Sequence, residues 1–137
     1  MRLWHKKMIP YLPRQQLLGQ WRECCAIARN ISTKGTPNHV LVNKVLEYPK
    51  LDFIMYTCMV SNEMARRGYN VHHYKFKDWI DVKWKNEEKV HGRTIFEGWH
   101  NDRYLKQCLM NLQEKADCGA IPAEEWKKIT DRWPEMI

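Results

Sequence analysis

The stretch LPRQQLLGQWRECC, residues 12–25, decides the fold. Pro13 suits the first turn of a helix, where its missing N–H would have no partner anyway. Leu17, Leu18, Trp21, Cys24, Cys25 and Ala28 then recur at helical spacing, until Asn30, Ser32, Gly35 and Pro37 break the pattern. At about 3.6 residues per turn, Leu17, Trp21, Cys24, Cys25 and Ala28 share one side, and Gln15, Gly19, Arg22, Glu23 and Ala26 the other. A glycine inside a helix costs about 1 kcal/mol relative to alanine, and packing on a solvent face does not ask for one. Gly19 and Ala26 therefore read as a shallow floor that lets something approach Arg22 and Glu23 closely. The same pattern also fits a solvated polar face with an incidental glycine.

Working outward, a short helix is predicted from Asn38 as cap through Leu41, Val42, Val45 and Leu46. Pro49 opens a longer one carrying Leu51, Ile54, Met55, Cys58 and Ala65 on its apolar face. Arg66, Arg67 and Gly68 end it, with cations at the carbonyl end and glycine just beyond. Residues 71–100 show little helical period but many aromatic and basic residues, notably KFKDWIDVKWK from Lys75 to Lys85, and read as a long loop with one short element. Helix returns at Asn101 or Asp102, with Tyr104, Leu105, Cys108, Leu109 and Leu112 inward and Gly119 as the stop. A last short helix starts at Pro122 and carries Trp126 and Ile129. There is no internal repeat or linker. The expected architecture is all-α, a compact single domain over residues 1–137 with three main helices, long connections and one or two short helices.

The chain has 137 residues, with 23 Lys plus Arg against 16 Asp plus Glu and a formal charge of +7. That balance favours an anionic partner such as nucleic acid or an acidic lipid surface, although solubility alone would also account for it. The five cysteines, Cys24, Cys25, Cys58, Cys108 and Cys118, are odd in number and lack CxxC spacing, so they are expected as reduced, buried thiols. MRLWHKKMIPYLP places charges and a proline where a signal peptide needs an apolar run. FIMYTCMVSN is too short to span a bilayer. The expectation is a soluble, intracellular, cytoplasmic protein with no membrane association, acting as a monomer.

The run LPRQQLLGQWRE, with Gln15, Leu17, Arg22 and Glu23, resembles the first helix of the pyrimidine-dimer DNA glycosylases, the family of phage endonuclease V and its bacterial relatives. The opening MRLWH is similar to that of bacterial members. HVLVNKVLEYPKLDFIMYTCMVSNEMARRGYNV, from His39 to Val71, resembles the family's second helix and its exit, above all in the ending EMARRGYN. Beyond Val71 the likeness is one of kind, a third helix and an aromatic, basic tail.

The resemblance implies an enzyme of DNA repair that cuts the glycosidic bond of a cyclobutane pyrimidine dimer and then nicks the strand by β-elimination. Its partner would be double-stranded DNA carrying damaged pyrimidines or abasic sites. Carried onto this sequence, the Met1 amine is the nucleophile, Glu23 the catalytic acid and base, and Arg22 a phosphate holder beside it. Arg2 is a further phosphate contact and Gln15 part of the DNA-binding surface. Two departures stand out. Bulky Arg2 should block removal of Met1, whereas the phage enzyme exposes a small residue, and the phage protein is basic where this chain has Ala26, a contact that Arg29 could replace.

The residue types suit that chemistry on their own terms. An imine with the sugar's anomeric carbon needs a partly neutral amine. An α-amino group, with a reference pKa of about 7.7 to 8.0, is roughly a tenth or more neutral at pH 7, against under a thousandth for an ordinary lysine. Arg22 and Arg2 would lower the amine's pKa further, and an ionised Glu23 would oppose them. No metal or organic cofactor is required.

His72 with His73, and His91 with His100, match no zinc pattern and read as ordinary surface or loop histidines. Lys75, Lys77, Lys83 and Lys85, interleaved with Phe76, Trp79 and Trp84, fit a surface that tracks phosphates and stacks on an opened base. They fit equally a loop closing the core with tryptophans under snorkelling lysines. Trp4 and Trp21 are expected in the core, pinning the N-terminal segment near Glu23. Against the enzyme reading stand a non-catalytic nucleic-acid-binding domain of the same fold and an all-α interaction module whose charge is incidental.

Overall fold

The computed structural model describes residues 2–33, 39–80 and 94–135. Among them the regular structure is all helical, as expected: a 3-10 turn over Lys6–Tyr11, then α1 (Arg14–Thr33), α2 (Val40–Leu46), α3 (Lys50–Arg66), α4 (Tyr74–Ile80), α5 (Asp102–Asp117) and α6 (Ala123–Arg132). The three long helices α1, α3 and α5 match the predicted ones. No helix among the described residues is long and apolar enough to cross a membrane.

Local chemistry sets the ends. Pro13 directly precedes α1, its carbonyl accepting from the Leu17 amide at 3.0 Å. The predicted cap Asn38 lies outside the described residues; His39 caps α2, its Nδ1 accepting from the Val42 amide at 3.3 Å. Pro49 precedes α3, and Gly68 takes the left-handed φ of 81° just past its end. Asn101 caps α5 by accepting from the Tyr104 amide at 2.9 Å.

α1 packs on α3 and α4. Leu17, Trp21, Cys24 and Ala28 of α1 join Phe53, Tyr56, Val60 and Met64 of α3 and Leu105, Cys108, Leu109 and Leu112 of α5 in one buried cluster. Trp4 and Trp21 belong to it, as expected. The N-terminal residues Leu3, Met8, Ile9 and Leu12 run through the same core, so the chain's first segment is interior structure.

The predicted register of α3 is rotated from the observed one. Leu51, Met55, Cys58 and Ala65 are exposed, and the inward face carries Asp52, Phe53, Tyr56, Thr57, Val60, Ser61, Glu63 and Met64. The buried polar groups are what mislead the reading, and partners from elsewhere make their burial tolerable. Asp52 accepts from the Phe96 amide at 3.1 Å. Glu63 accepts from Arg66 and, at 2.7 Å, from Arg67 Nε. Burial alone would raise the Glu63 pKa, yet these two guanidinium groups hold it below the usual value. Arg67 also donates to the Leu12 carbonyl at 2.8 Å and the Pro10 carbonyl at 3.2 Å, so the ending EMARRGYN ties α3 to the chain entering α1.

Other expectations need correction. Cys24 and Cys108 are buried and Cys25 half-buried, but Cys58 and Cys118 are exposed, one on the misassigned face of α3 and one at the end of α5. His100 is buried at 6% exposure, not a surface histidine, because its ring stacks on His5 at 5.1 Å in a cluster with Tyr56, Phe96, Trp99 and Tyr104. His72 and His73 are exposed, and His91 lies outside the described residues. Within residues 71–100 the short element is α4, whose Phe76 meets Phe53 at 5.6 Å between ring centroids.

Candidate active site

The site begins with Gln20, a buried polar residue on the inner side of α1. Its Oε1 accepts from the Trp4 amide at 2.6 Å and its Nε2 donates to the Arg2 carbonyl at 3.0 Å. The start of the chain is thereby attached to α1 one turn before Glu23. Met1, the expected nucleophile, lies outside the described residues.

Glu23 faces a pocket of about 400 Å³ formed by Arg2, Trp4, Gln15, Gln16, Gly19, Gln20, Asn111 and Lys115. Its Oε2 is buried and makes no hydrogen bond among the described residues, and neither does Oε1 of Gln16. Burial pushes the Glu23 carboxyl above the ordinary carboxylate range, against the pull of the α-amino charge, His39 and Arg22. A carboxyl so placed holds its proton closer to neutral pH, as an acid that must also act as a base requires. Gly19 forms part of the floor: a Cβ there would meet only the end of the Arg22 side chain, at 3.9 Å.

Arg22 does not line that pocket. It turns to an adjoining groove of about 470 Å³ with Cys25, Ala26, Arg29, Asn30, Thr33, Lys75 and Trp79. The groove brings together three exposed cations, Arg22, Arg29 and Lys75, from α1 and α4. Arg29 lies over the Trp79 ring at 5.6 Å, beside the position where Ala26 leaves room. Burial raises the Cys25 thiol to about 11, so it stays protonated there. Phe76 and Trp79 are half-buried against the core, as the core-closing alternative has it, while Lys75 and Lys77 stand exposed on α4. Lys77 lines neither cavity. Lys83, Trp84 and Lys85 lie outside the described residues.

Arg2 stands where two cavities meet. Its guanidinium lies 5.4 Å over the Trp4 ring and 3.8 Å from Cys108 Sγ. Besides the Glu23 pocket it lines a larger cavity of about 700 Å³ with His39, Lys44, Trp99 and Tyr104. The structure brings Arg2, Gln15 and Glu23 to one pocket, joined there by Gln20, Asn111 and Lys115, which the sequence did not single out, while His39 joins Arg2 in the larger cavity. Gln20 is three residues from Glu23 but on the inner side of α1, and local periodicity carries no sign that Asn111 and Lys115, 88 and 92 positions away, complete the pocket. Among the described residues no three His, Cys, Asp or Glu side chains are grouped to hold a metal ion.

No curated protein and no solved structure matches the chain. The family model described as pyrimidine dimer DNA glycosylase matches residues 1–77, which take in the N-terminal segment, Glu23, the groove cations Arg22, Arg29 and Lys75, and the EMARRGYN ending. The chain belongs to the pyrimidine dimer DNA glycosylase family.

Proposed function

We propose that the protein is a DNA repair glycosylase with abasic-site lyase activity, acting on duplex DNA that carries cyclobutane pyrimidine dimers. The observation that carries this reading is the Glu23 pocket: a half-buried carboxyl with a raised pKa and an oxygen unpartnered among the described residues, walled by the first residues of the chain. The neutral Met1 amine attacks the sugar's C1′, and the glycosidic bond breaks with its electrons going to the leaving base, which also takes the proton that the attacking nitrogen sheds. Ring opening gives a protonated imine, the ring oxygen taking a proton from Glu23. Glu23, now a base, removes a proton from C2′, and the C3′–O bond breaks to release the phosphate. Water then hydrolyses the imine and frees the amine. Arg2 beside the pocket, and Arg22, Arg29 and Lys75 in the groove, hold backbone phosphates on either side of the reacting sugar.

Borohydride reduction tests it directly. Incubation with abasic or dimer-containing duplex should give a protein–DNA bond that peptide mapping places on Met1, and strand nicking without reductant. Acetylating the N-terminus should abolish both while sparing duplex affinity. Salt-sensitive binding with neither trapping nor nicking would replace this reading with the non-catalytic DNA-binding domain.

A further inference from the structure

Among the described residues no strand lies beside Arg2 to Trp4, of which Leu3 and Trp4 are buried in the core. Their polar backbone groups are met by side chains instead, one from each long helix. The Arg2 carbonyl accepts from Gln20 Nε2 at 3.0 Å, the Leu3 carbonyl from the Tyr104 hydroxyl at 2.5 Å, and the Trp4 carbonyl from the Tyr56 hydroxyl at 2.5 Å. The Trp4 amide donates to Gln20 Oε1, which also lies 3.0 Å from the Tyr56 hydroxyl. Gln20 and Tyr56 are 1% and 0% exposed.

We propose that Gln20, Tyr56 and Tyr104 form a positioning clamp that sets where the chain's α-amino group stands relative to Glu23, an inference resting on the imine chemistry proposed above. Three successive carbonyls held from three helices leave the segment no freedom to slide or rotate. Only the few torsions upstream of the Arg2 carbonyl separate that anchor from the amine. Glu23 sits on the same helix as Gln20, one turn on, so a single rigid element carries both the anchor and the acid. Burial raises the pKa of both tyrosines, with Tyr56 well above 10, so each stays a donor at neutral pH. Misplacing a reacting group by about 1 Å can slow a reaction on the order of a hundredfold. A segment that merely filled the core would need apolar side chains; this one also needs its backbone fixed in register.

The test is single-turnover borohydride trapping on abasic duplex at saturating protein, together with the duplex Kd. Gln20→Met keeps length and loses the hydrogen bonds to Arg2, Trp4 and Tyr56; Tyr104→Phe keeps the ring and loses the one to the Leu3 carbonyl. The trapping rate should fall about a hundredfold and about tenfold, respectively, with Kd within about twofold of native. Ile129→Val, in α6, loosens the core without touching the clamp and should trap at the native rate. If Gln20→Met does not melt cooperatively, Tyr104→Phe decides alone. Native trapping rates in the clamp variants would overturn the clamp and leave the glycosylase reading standing. A native protein that traps only through a lysine, or does not trap at all, overturns both.

Discussion

Gly19 is the residue at which fold and function make opposite demands. Its backbone is helical, and an added Cβ would meet only the far end of Arg22, at 3.9 Å, which is ordinary contact. Gly19→Ala should therefore recover the helix propensity that glycine gives up, about 0.8 to 1 kcal/mol, with no steric penalty. For a chain of this size that is a rise in Tm of about 3 to 5 °C. Extending the side chain further sends it into the 400 Å³ pocket that Glu23 faces. Gly19→Met should keep most of the gain in stability, since methionine is also a good helix former, but occupy the space the sugar needs. Its single-turnover nicking of abasic duplex should fall on the order of a hundredfold, with Gly19→Ala between it and native. Thermal melting and nicking, measured on the same preparations, give both numbers. A Gly19→Met protein that is more stable and nicks at the native rate would refute the idea that the bare floor serves substrate approach. A destabilised Gly19→Ala would refute the packing argument itself.

Glu23→Gln should lose dimer cleavage while duplex binding is kept or strengthened, because the change removes both an ionisable proton and a negative charge near phosphate; cleavage at the native rate would remove Glu23 from the reaction. Duplex affinity should fall steeply with salt, and Arg29→Ala should reduce the slope of log K against log salt by about 0.9, as for one lost phosphate contact; an unchanged slope would place the DNA elsewhere. Burial lowers the pKa of His5 to about 4 and of His100 to about 2, from 6.5, so the unfolded chain takes up these protons first on acidification. Their contribution to stability is full above about pH 6.5 and is lost as pH falls, towards 4 for His5 and towards 2 for His100, by about 2 kcal/mol each at pH 5, with the raised Glu23 offsetting a little. Urea midpoints at pH 7.5 and pH 5 measure this, and equal midpoints would mean the histidine pair is not held neutral.

How far each helix could be read from sequence tracks how it is buried. α1 has one apolar and one polar side, so its periodicity assigned Leu17, Trp21, Cys24 and Ala28 inward and Arg22 and Ala26 outward correctly. α5 read equally well for the same reason. α3 is apolar almost all round, and its inward face includes Asp52 and Glu63, whose burial depends on the Phe96 amide and on Arg66 and Arg67. No pattern within α3 announces those partners. His100 reads as a loop residue because its burial depends on a ring 95 positions earlier. Gln20 fails in the same way: a glutamine among apolar neighbours is taken for a surface residue unless the extended N-terminal segment it holds is known.

The pair Arg22 and Glu23 shows how neighbours in sequence part in space. Consecutive helix residues point about 100° apart, so neighbours in sequence do not face the same partner. Reading them as one acid and one base side by side therefore conflicts with helical geometry from the start. The structure resolves the conflict by giving each its own concavity: Glu23 faces the pocket with Arg2 and Gln15, and Arg22 faces the groove with Arg29 and Lys75. Gly19 lies three residues before Arg22 and four before Glu23, close to both. That is the one place on the helix where a missing side chain opens the pocket, with the tip of Arg22 lying 3.9 Å from where a Cβ would stand. A substrate seated there would meet the carboxyl on one side and cations on the other, an arrangement that suits a sugar between two phosphates.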